Sequence, residues 1–176
     1  MSETRTIRIA DLTSYDFRRL VQEGPPVVLL PVGSIEQHGP HLPLSTDVIL
    51  PEEIAMRVAA RMGALVAPPV SYGYKSQPKT GGGNHFPGTL SLDASTLIAM
   101  LRDVMNELVR HGIRHIVVFD GHMENQWFIT EAIDLMLRDQ RREGIDTVRA
   151  IKLGYWEFIT PATEEVLFPD AVSYTH

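Results

Sequence analysis

The sequence contains no cysteine among its 176 residues. Without thiols the protein has no disulfide framework, no thiolate zinc site and no cysteine nucleophile, so any metal ion must be held by histidine, aspartate and glutamate. An excess of positive charge is also missing, since 16 basic and 22 acidic side chains give a net charge of −6. Because a negative chain does not suit a phosphate backbone, we expect no nucleic-acid partner.

Long apolar runs and an N-terminal targeting segment are missing as well. No apolar stretch approaches the roughly 20 residues that span a bilayer. The first residues, MSETRTIRIADL, have neither the basic nor the apolar region of a secretory signal. We therefore expect a cytoplasmic protein with no membrane partner.

Apolar segments alternate with segments of helical period, which predicts an α/β fold with a mostly parallel sheet and helices on both of its faces. The predicted strands are Val27–Val32, Ala64–Val70, His115–Phe119 and Thr147–Leu153. The predicted helices are Thr13–Glu23, Leu50–Gly63 with Pro51 in its first turn, Asp93–Gly112 with Asp93 as N-cap, and Asn125–Arg142. We expect the segment after Leu153 to be irregular.

A long segment without helical or strand period runs from Ser71 to Ser91 and contains five glycines. A loop of this length inside a compact domain is usually functional. Its run Gly81–Gly83 is followed neither by Lys-Ser/Thr nor directly by a helix, so we do not predict a nucleotide site. Lys75 and Lys79 in this loop are candidates for catalysis if they are desolvated, and solvated side chains otherwise.

Two pairs of possible metal ligands follow two different predicted strands. Glu36 and His38 come after the first strand, and His122 and Glu124 come after the strand HIVVF. Residues two apart on an extended segment point to the same side, so each pair can share a pocket. Ligands gather at the carboxyl ends of parallel strands, which is where both pairs lie.

Asp47, close to the start of the next predicted helix, is a fifth candidate ligand. Two imidazoles, two carboxylates and a third carboxylate able to bridge suit a pair of divalent ions such as zinc or manganese. Such a pair can make a bridging hydroxide and polarise a carbonyl, which predicts hydrolysis. The alternatives are that Asp47 is a helix N-cap and that each Glu/His pair is only a hydrogen-bonded loop cluster.

The segments GSIEQHGPHLPLSTD and DGHMEN resemble the two metal-binding segments of the creatininase (creatinine amidohydrolase) family. The loop YGYKSQPKTGGGNHFPGTLSLD is similar to that of true creatininases rather than to the deformylase-type and sugar-processing branches of the family. The resemblance extends from the first helix to FPD near the end of the chain.

This resemblance implies roles for particular residues. One ion is held by Glu36, Asp47 and His122, and the other by His38, Asp47 and Glu124. Glu124 is also the catalytic group that moves a proton during attack on the ring carbonyl. The substrate-binding residues implied are Trp156 as an aromatic lid, Ser76 and Thr80 in the long loop, and Met123. For Trp156, simple packing after a strand is the alternative.

The sequence departs from the family pattern in three places. Met123 stands where creatininases usually have a tyrosine, and Thr80 where serine is common. Family members also continue into a segment with a further His and Glu, so we expect residues 1–176 to form a single creatininase-like α/β domain that lacks its C-terminal part. The resemblance implies a homo-oligomer, a hexamer.

Three functional hypotheses follow. The first is a dinuclear metal-dependent amidohydrolase that converts creatinine, or a close cyclic amide, to the acid. The second keeps the metal ions, Zn²⁺ and/or Mn²⁺, but changes the substrate to a formamide or a cyclic polyol derivative. The third is an inactive metal-binding fragment.

Overall fold

A computed structural model describes residues 7–167, apart from the side chains of Thr80, Glu164 and Leu167. The strands are β1 Val27–Val32, β2 Leu65–Val66, β3 His115–Asp120 and β4 Arg149–Gly154. The helices are α1 Ser14–Glu23, α2 Thr46–Met62, α3 Ala94–Arg110, α4 Gln126–Arg142 and α5 Pro161–Leu167. Short 3-10 helices occupy Ile9–Asp11, Pro78–Thr80, Met123–Asn125 and Tyr155–Phe158.

The four strands form one parallel sheet in the order β2-β1-β3-β4. β1 is central and pairs with β3 over its whole length, from Val27 opposite His115 to Val32 opposite Asp120. The predicted parallel sheet is therefore confirmed. Since β1 and β3 are neighbours in register, the segments that follow them emerge side by side at one edge of the sheet.

Helices cover both faces of the sheet, as the sequence predicts. On one face, Val28, Leu30 and Val32 of β1 pack in a core with α1, α3 and α4, to which α3 contributes Leu97 and Leu101. On the other face, a smaller cluster joins Leu29 and Val66 of the sheet to Ala55 and Ala59 of α2. Alternate residues of β1 thus point to opposite layers, which explains its unbroken apolar sequence.

Helix α2 begins at Thr46, four residues before the predicted start, so Pro51 lies inside the helix rather than in its first turn. The amide nitrogens of Val48 and Ile49 both donate to the Ser45 carbonyl, which closes the first turn upstream of the proline. Proline misled the prediction because it favours the first turn of a helix but is tolerated where its missing N–H is not required.

Other features also differ from the prediction, among them the bounds of β4, which is Arg149–Gly154 rather than Thr147–Leu153. The second strand contains only Leu65–Val66, and the following Pro68 and Pro69 have no amide hydrogen for a ladder. The segment predicted to be irregular after β4 contains α5, which begins at Pro161 and is preceded by Thr160, whose hydroxyl accepts from the Thr163 amide. Among residues 7–167, no helix is long and apolar enough to span a membrane.

Candidate metal centre

The candidate site lies where the chain leaves β1 and β3, against the start of α2. Gly33 follows β1 and Gly121 follows β3. A Cβ atom at either position would lie 2.3 or 2.2 Å from the carbonyl oxygen of Asp47. Only glycine lets the first turn of α2 approach both strand ends so closely, and this approach places Asp47 between the two loops.

Asp47 is buried between the two histidines of the predicted ligand pairs. Its Oδ1 lies 3.0 Å from Nε2 of His38, and its Oδ2 lies 3.0 Å from Nδ1 of His122. The N-cap alternative for Asp47 is wrong, since α2 begins before it and its carboxylate faces the imidazoles. Each carboxylate oxygen thus faces a different imidazole, an arrangement suited to a bridging ligand.

The two glutamates complete the cluster. Oε1 of Glu36 lies 3.4 Å from Nδ1 of His122, and Oε2 of Glu124 lies 3.6 Å from Nε2 of the same histidine. Ligand atoms of Glu36, His38 and Asp47 all lie within 4.8 Å of one another. The structure therefore brings the five predicted ligands together in one cleft of about 530 Å³.

The charges in this cluster are strongly coupled. Burial by itself would lower the pKa of His122, but its hydrogen bonds with Asp47 and Glu36 and their negative charges outweigh burial and raise the pKa to about 10. Burial opposes ionisation of Glu36, yet the hydrogen bond and positive charge of His122 and the hydroxyl of Ser76 lower its pKa. The pKa of His122 is thus governed by the two carboxylates that its Nδ1 faces.

The donor set fits divalent metal ions. Imidazole nitrogens and carboxylate oxygens are ligands that zinc and manganese accept, and no thiolate is needed. His122 can bind a metal ion only after its ring has lost a proton. An ion held beside Glu36 and Asp47 would then supply the positive charge that the protonated ring brings to these two carboxylates. The two Asp47 oxygens, each directed toward its own imidazole, allow one carboxylate to contact two ions.

The predicted substrate-binding residues border the same cleft. Trp156 and Tyr155 form an edge-to-face pair with ring centroids 5.2 Å apart, and both line the cleft together with Met123 and Ser76. Ser76 is buried and hydrogen-bonds Glu36, so it supports a predicted ligand as well as lining the cleft. The side chain of Thr80 lies outside the described part of the structure.

Two groups around the site were not singled out from the sequence. Asp120 is fully buried, and its Oδ1 accepts from the His122 amide at 3.1 Å. Burial raises the pKa of Asp120 to about 7. Asn125, treated in the sequence only as a helix start, is also fully buried and hydrogen-bonds Tyr74 and Gly33. Asp120 and Asn125 flank the ligand pair in DGHMEN, which was the available signal for both.

Neither Lys75 nor Lys79, the lysines considered for catalysis, lines this cleft. Lys75 is exposed in its ion pair with Asp93, and that contact raises its pKa rather than preparing it to act as a base. Asp93 precedes α3 as predicted, but its side chain makes no capping hydrogen bond and pairs with Lys75 instead. The solvated alternative for Lys75 is the one that the structure supports.

Comparison with known proteins identifies relatives of this chain. The profile of the creatininase family, described as creatinine amidohydrolase, matches residues 10–171. A creatinine amidohydrolase of Pseudomonas putida is 47% identical over 168 residues, which cover 95% of this chain and 65% of that protein. A mycofactocin precursor peptide peptidase of Mycolicibacterium smegmatis is 38% identical over 125 residues, covering 68% of this chain and 48% of that protein.

Solved creatininase structures share the fold. A manganese form has a TM-score of 0.92 at 47% identity, covering 96% of this chain and 66% of that one. Two variants, one of Zn–Zn type and one complexed with creatine, each have a TM-score of 0.91 at 46% identity with the same coverage. The chain thus spans about two thirds of the length of these relatives. From its sequence, its fold and the ligand cluster at its strand ends, this chain belongs to the creatininase family.

Proposed function

We propose that this protein is a metal-dependent amidohydrolase that opens the cyclic amide of creatinine to give creatine. The observation that carries the proposal is the position of Asp47, with one carboxylate oxygen 3.0 Å from His38 and the other 3.0 Å from His122. Similarity to the P. putida creatinine amidohydrolase supports the choice of substrate.

The proposed centre holds two divalent ions, Zn²⁺ and/or Mn²⁺. Glu36, Asp47 and His122 hold one ion, and His38, Asp47 and Glu124 hold the other. When bound, such a pair activates water and polarises the substrate carbonyl. The creatininase structures of Zn–Zn type and with manganese support this choice of metals.

The other groups in the cleft bind the substrate and move a proton. Addition of water to the carbonyl and cleavage of the ring C–N bond require one proton to pass to the departing nitrogen. Glu124 lies in the cleft with its carboxylate beside His122 and serves as that proton carrier. Trp156 and Tyr155 present aromatic surface to a flat ring, and Met123 provides an apolar contact where the family usually has a hydroxyl.

A second candidate keeps the metal centre but changes the substrate. Met123 is 54% exposed beside the cleft and has no hydroxyl to offer a substrate. Loss of a hydrogen-bonding group from a pocket changes which substrate is preferred. The metal-loaded chain should therefore be assayed with creatinine, an N-formyl amine, a cyclic polyol derivative and a peptide amide. Fastest turnover of creatinine supports the first proposal, and fastest turnover of another compound supports the second.

We also propose a cytoplasmic homo-oligomer, a hexamer, without nucleic-acid or membrane partners. Large apolar side chains such as Trp127, Phe158 and Ile49 are 65, 62 and 45% exposed, and subunit contacts would cover such surface. Light scattering coupled to size exclusion measures the subunit number directly, and a monomer would contradict this proposal.

A further inference from the structure

The two ring nitrogens of His122 have different surroundings. Nε2 lies 3.0 Å from the backbone carbonyl oxygen of Tyr74, with Oε2 of Glu124 farther away at 3.6 Å, whereas Nδ1 faces the carboxylates of Asp47 and Glu36 at 3.0 and 3.4 Å. A carbonyl oxygen only accepts hydrogen bonds, so Nε2 must carry the hydrogen in this contact. The lone pair of Nδ1 is then the one that His122 can offer to a metal ion held by the two carboxylates.

The position of the Tyr74 carbonyl depends on Asn125. Oδ1 of Asn125 accepts from the Tyr74 amide at 2.7 Å, and its Nδ2 donates to the Gly33 carbonyl at 3.1 Å. The side chain is fully buried, so both hydrogen bonds are shielded from water. Asn125 therefore ties the long loop that contains Tyr74 to the end of β1.

Gly73 makes this close contact feasible. A Cβ atom at Gly73 would lie 2.5 Å from the Gly33 carbonyl oxygen and 2.8 Å from Oδ1 of Asn125. Because Gly73 has no side chain, the loop can pass close to the side-chain amide of Asn125. The Tyr74 carbonyl is thus held on the far side of the His122 ring from Asp47.

We propose that Asn125 is a positioning residue of the metal centre. By fixing Tyr74, it holds the His122 ring in the orientation and tautomer that present Nδ1 to the ion. The inference rests on the proposed metal centre, but it does not depend on creatinine being the substrate. Mutation of residues that orient a metal-binding histidine typically lowers metal affinity by about 10- to 100-fold.

Zinc affinity of the metal-free protein, measured by competition with a chelator, tests this role in the variant Asn125→Ala. We expect the affinity to fall by about 10- to 100-fold. Gln140→Ala is the matched control, since Gln140 is a buried amide that bonds Asn106 between α3 and α4, outside the cleft. The control should retain the wild-type affinity. A folded Asn125→Ala protein with unchanged affinity, or an equal loss in Gln140→Ala, would overturn the proposal.

Long-range ¹H–¹⁵N NMR of the zinc-loaded wild-type chain gives a second test that does not depend on a variant folding. The expected spectrum shows His122 protonated at Nε2 and metal-bound at Nδ1. Protonation at Nδ1 with the ion on Nε2 would refute the proposed tautomer. A wild-type chain that binds zinc in the expected way but does not turn over creatinine contradicts the substrate assignment alone, whereas absence of zinc binding contradicts both proposals.

Discussion

Replacing Gly121 with alanine should disturb the metal centre through the backbone of α2. A Cβ atom at this position would lie 2.2 Å from the Asp47 carbonyl oxygen and 2.5 Å from Cγ of Pro51, where ordinary contacts begin near 3.4 Å. The start of α2 must therefore move by about 1 Å, and overpacking of this kind costs about 1–3 kcal/mol. For a domain of this size, that corresponds to a fall in Tm of about 2–12 °C.

The same movement displaces the Asp47 carboxylate from its place between the two imidazoles. Functional sites tolerate displacements of only about 0.5 Å, so we expect zinc affinity to fall about tenfold or more. Thermal unfolding followed by circular dichroism and zinc titration of the same samples measure the two effects separately.

Gly144→Ala is a matched control for the loss of stability. Gly144 has a φ of 77° and open space around its Cα, so alanine there introduces backbone strain without a clash. This strain costs about 1–2 kcal/mol, and Tm should fall while zinc affinity stays at the wild-type value. A Gly121→Ala protein with wild-type Tm and wild-type zinc affinity would refute the steric argument.

Three further predictions concern charge. Asp47→Asn should reduce bound metal from the proposed two ions per chain to fewer than one, measured by elemental analysis, because the proposed bridging carboxylate would serve both ions; full occupancy would contradict the bridging role. The pKa of His122 is raised to about 10, so its ring must lose a proton when an ion binds. Zinc affinity should therefore increase about tenfold for each unit by which the pH rises toward 10. Calorimetry in buffers of different ionisation enthalpy should detect this proton, and its absence would count against Nδ1 as a ligand. The hydrogen bonds from Arg102 lower the pKa of Asp139. This pair therefore stabilises the fold when the pH is above the ordinary pKa of aspartate, and the stabilisation is lost as the pH falls through the lowered pKa. Asp139→Asn should therefore lower Tm at pH 7 and lower it progressively less as the pH falls below the ordinary pKa of aspartate, and an effect of the same size at every pH would exclude this explanation.

The parallel sheet was predictable because its strands are short apolar runs bounded by helices of clear period. Helix boundaries next to proline were less predictable, since proline can begin a helix, as Pro161 begins α5, or lie inside one, as Pro51 lies inside α2. The dipeptide Thr160-Pro161, an N-cap residue followed by proline, is a sequence signal that indicates the start of α5.

The five candidate ligands were predictable from their types and spacing, and the structure places them in one cleft. The contacts that orient them were not predictable in the same way. The partner of Nε2 in His122 is a backbone carbonyl of Tyr74, and any residue supplies such a group. The close approach of Asp47 to Gly33 and Gly121 depends on how the strand ends meet α2, which becomes visible only in three dimensions.

Metal-dependent conversion of creatinine to creatine is the most direct test of the proposed activity. The chain should be loaded with zinc or manganese and compared with Glu124→Gln, with metal content determined for both. We expect turnover by the wild-type chain and its loss in the variant, since the variant lacks the carboxylate that moves the proton. A folded, metal-loaded wild-type chain that does not convert creatinine would contradict the proposed activity.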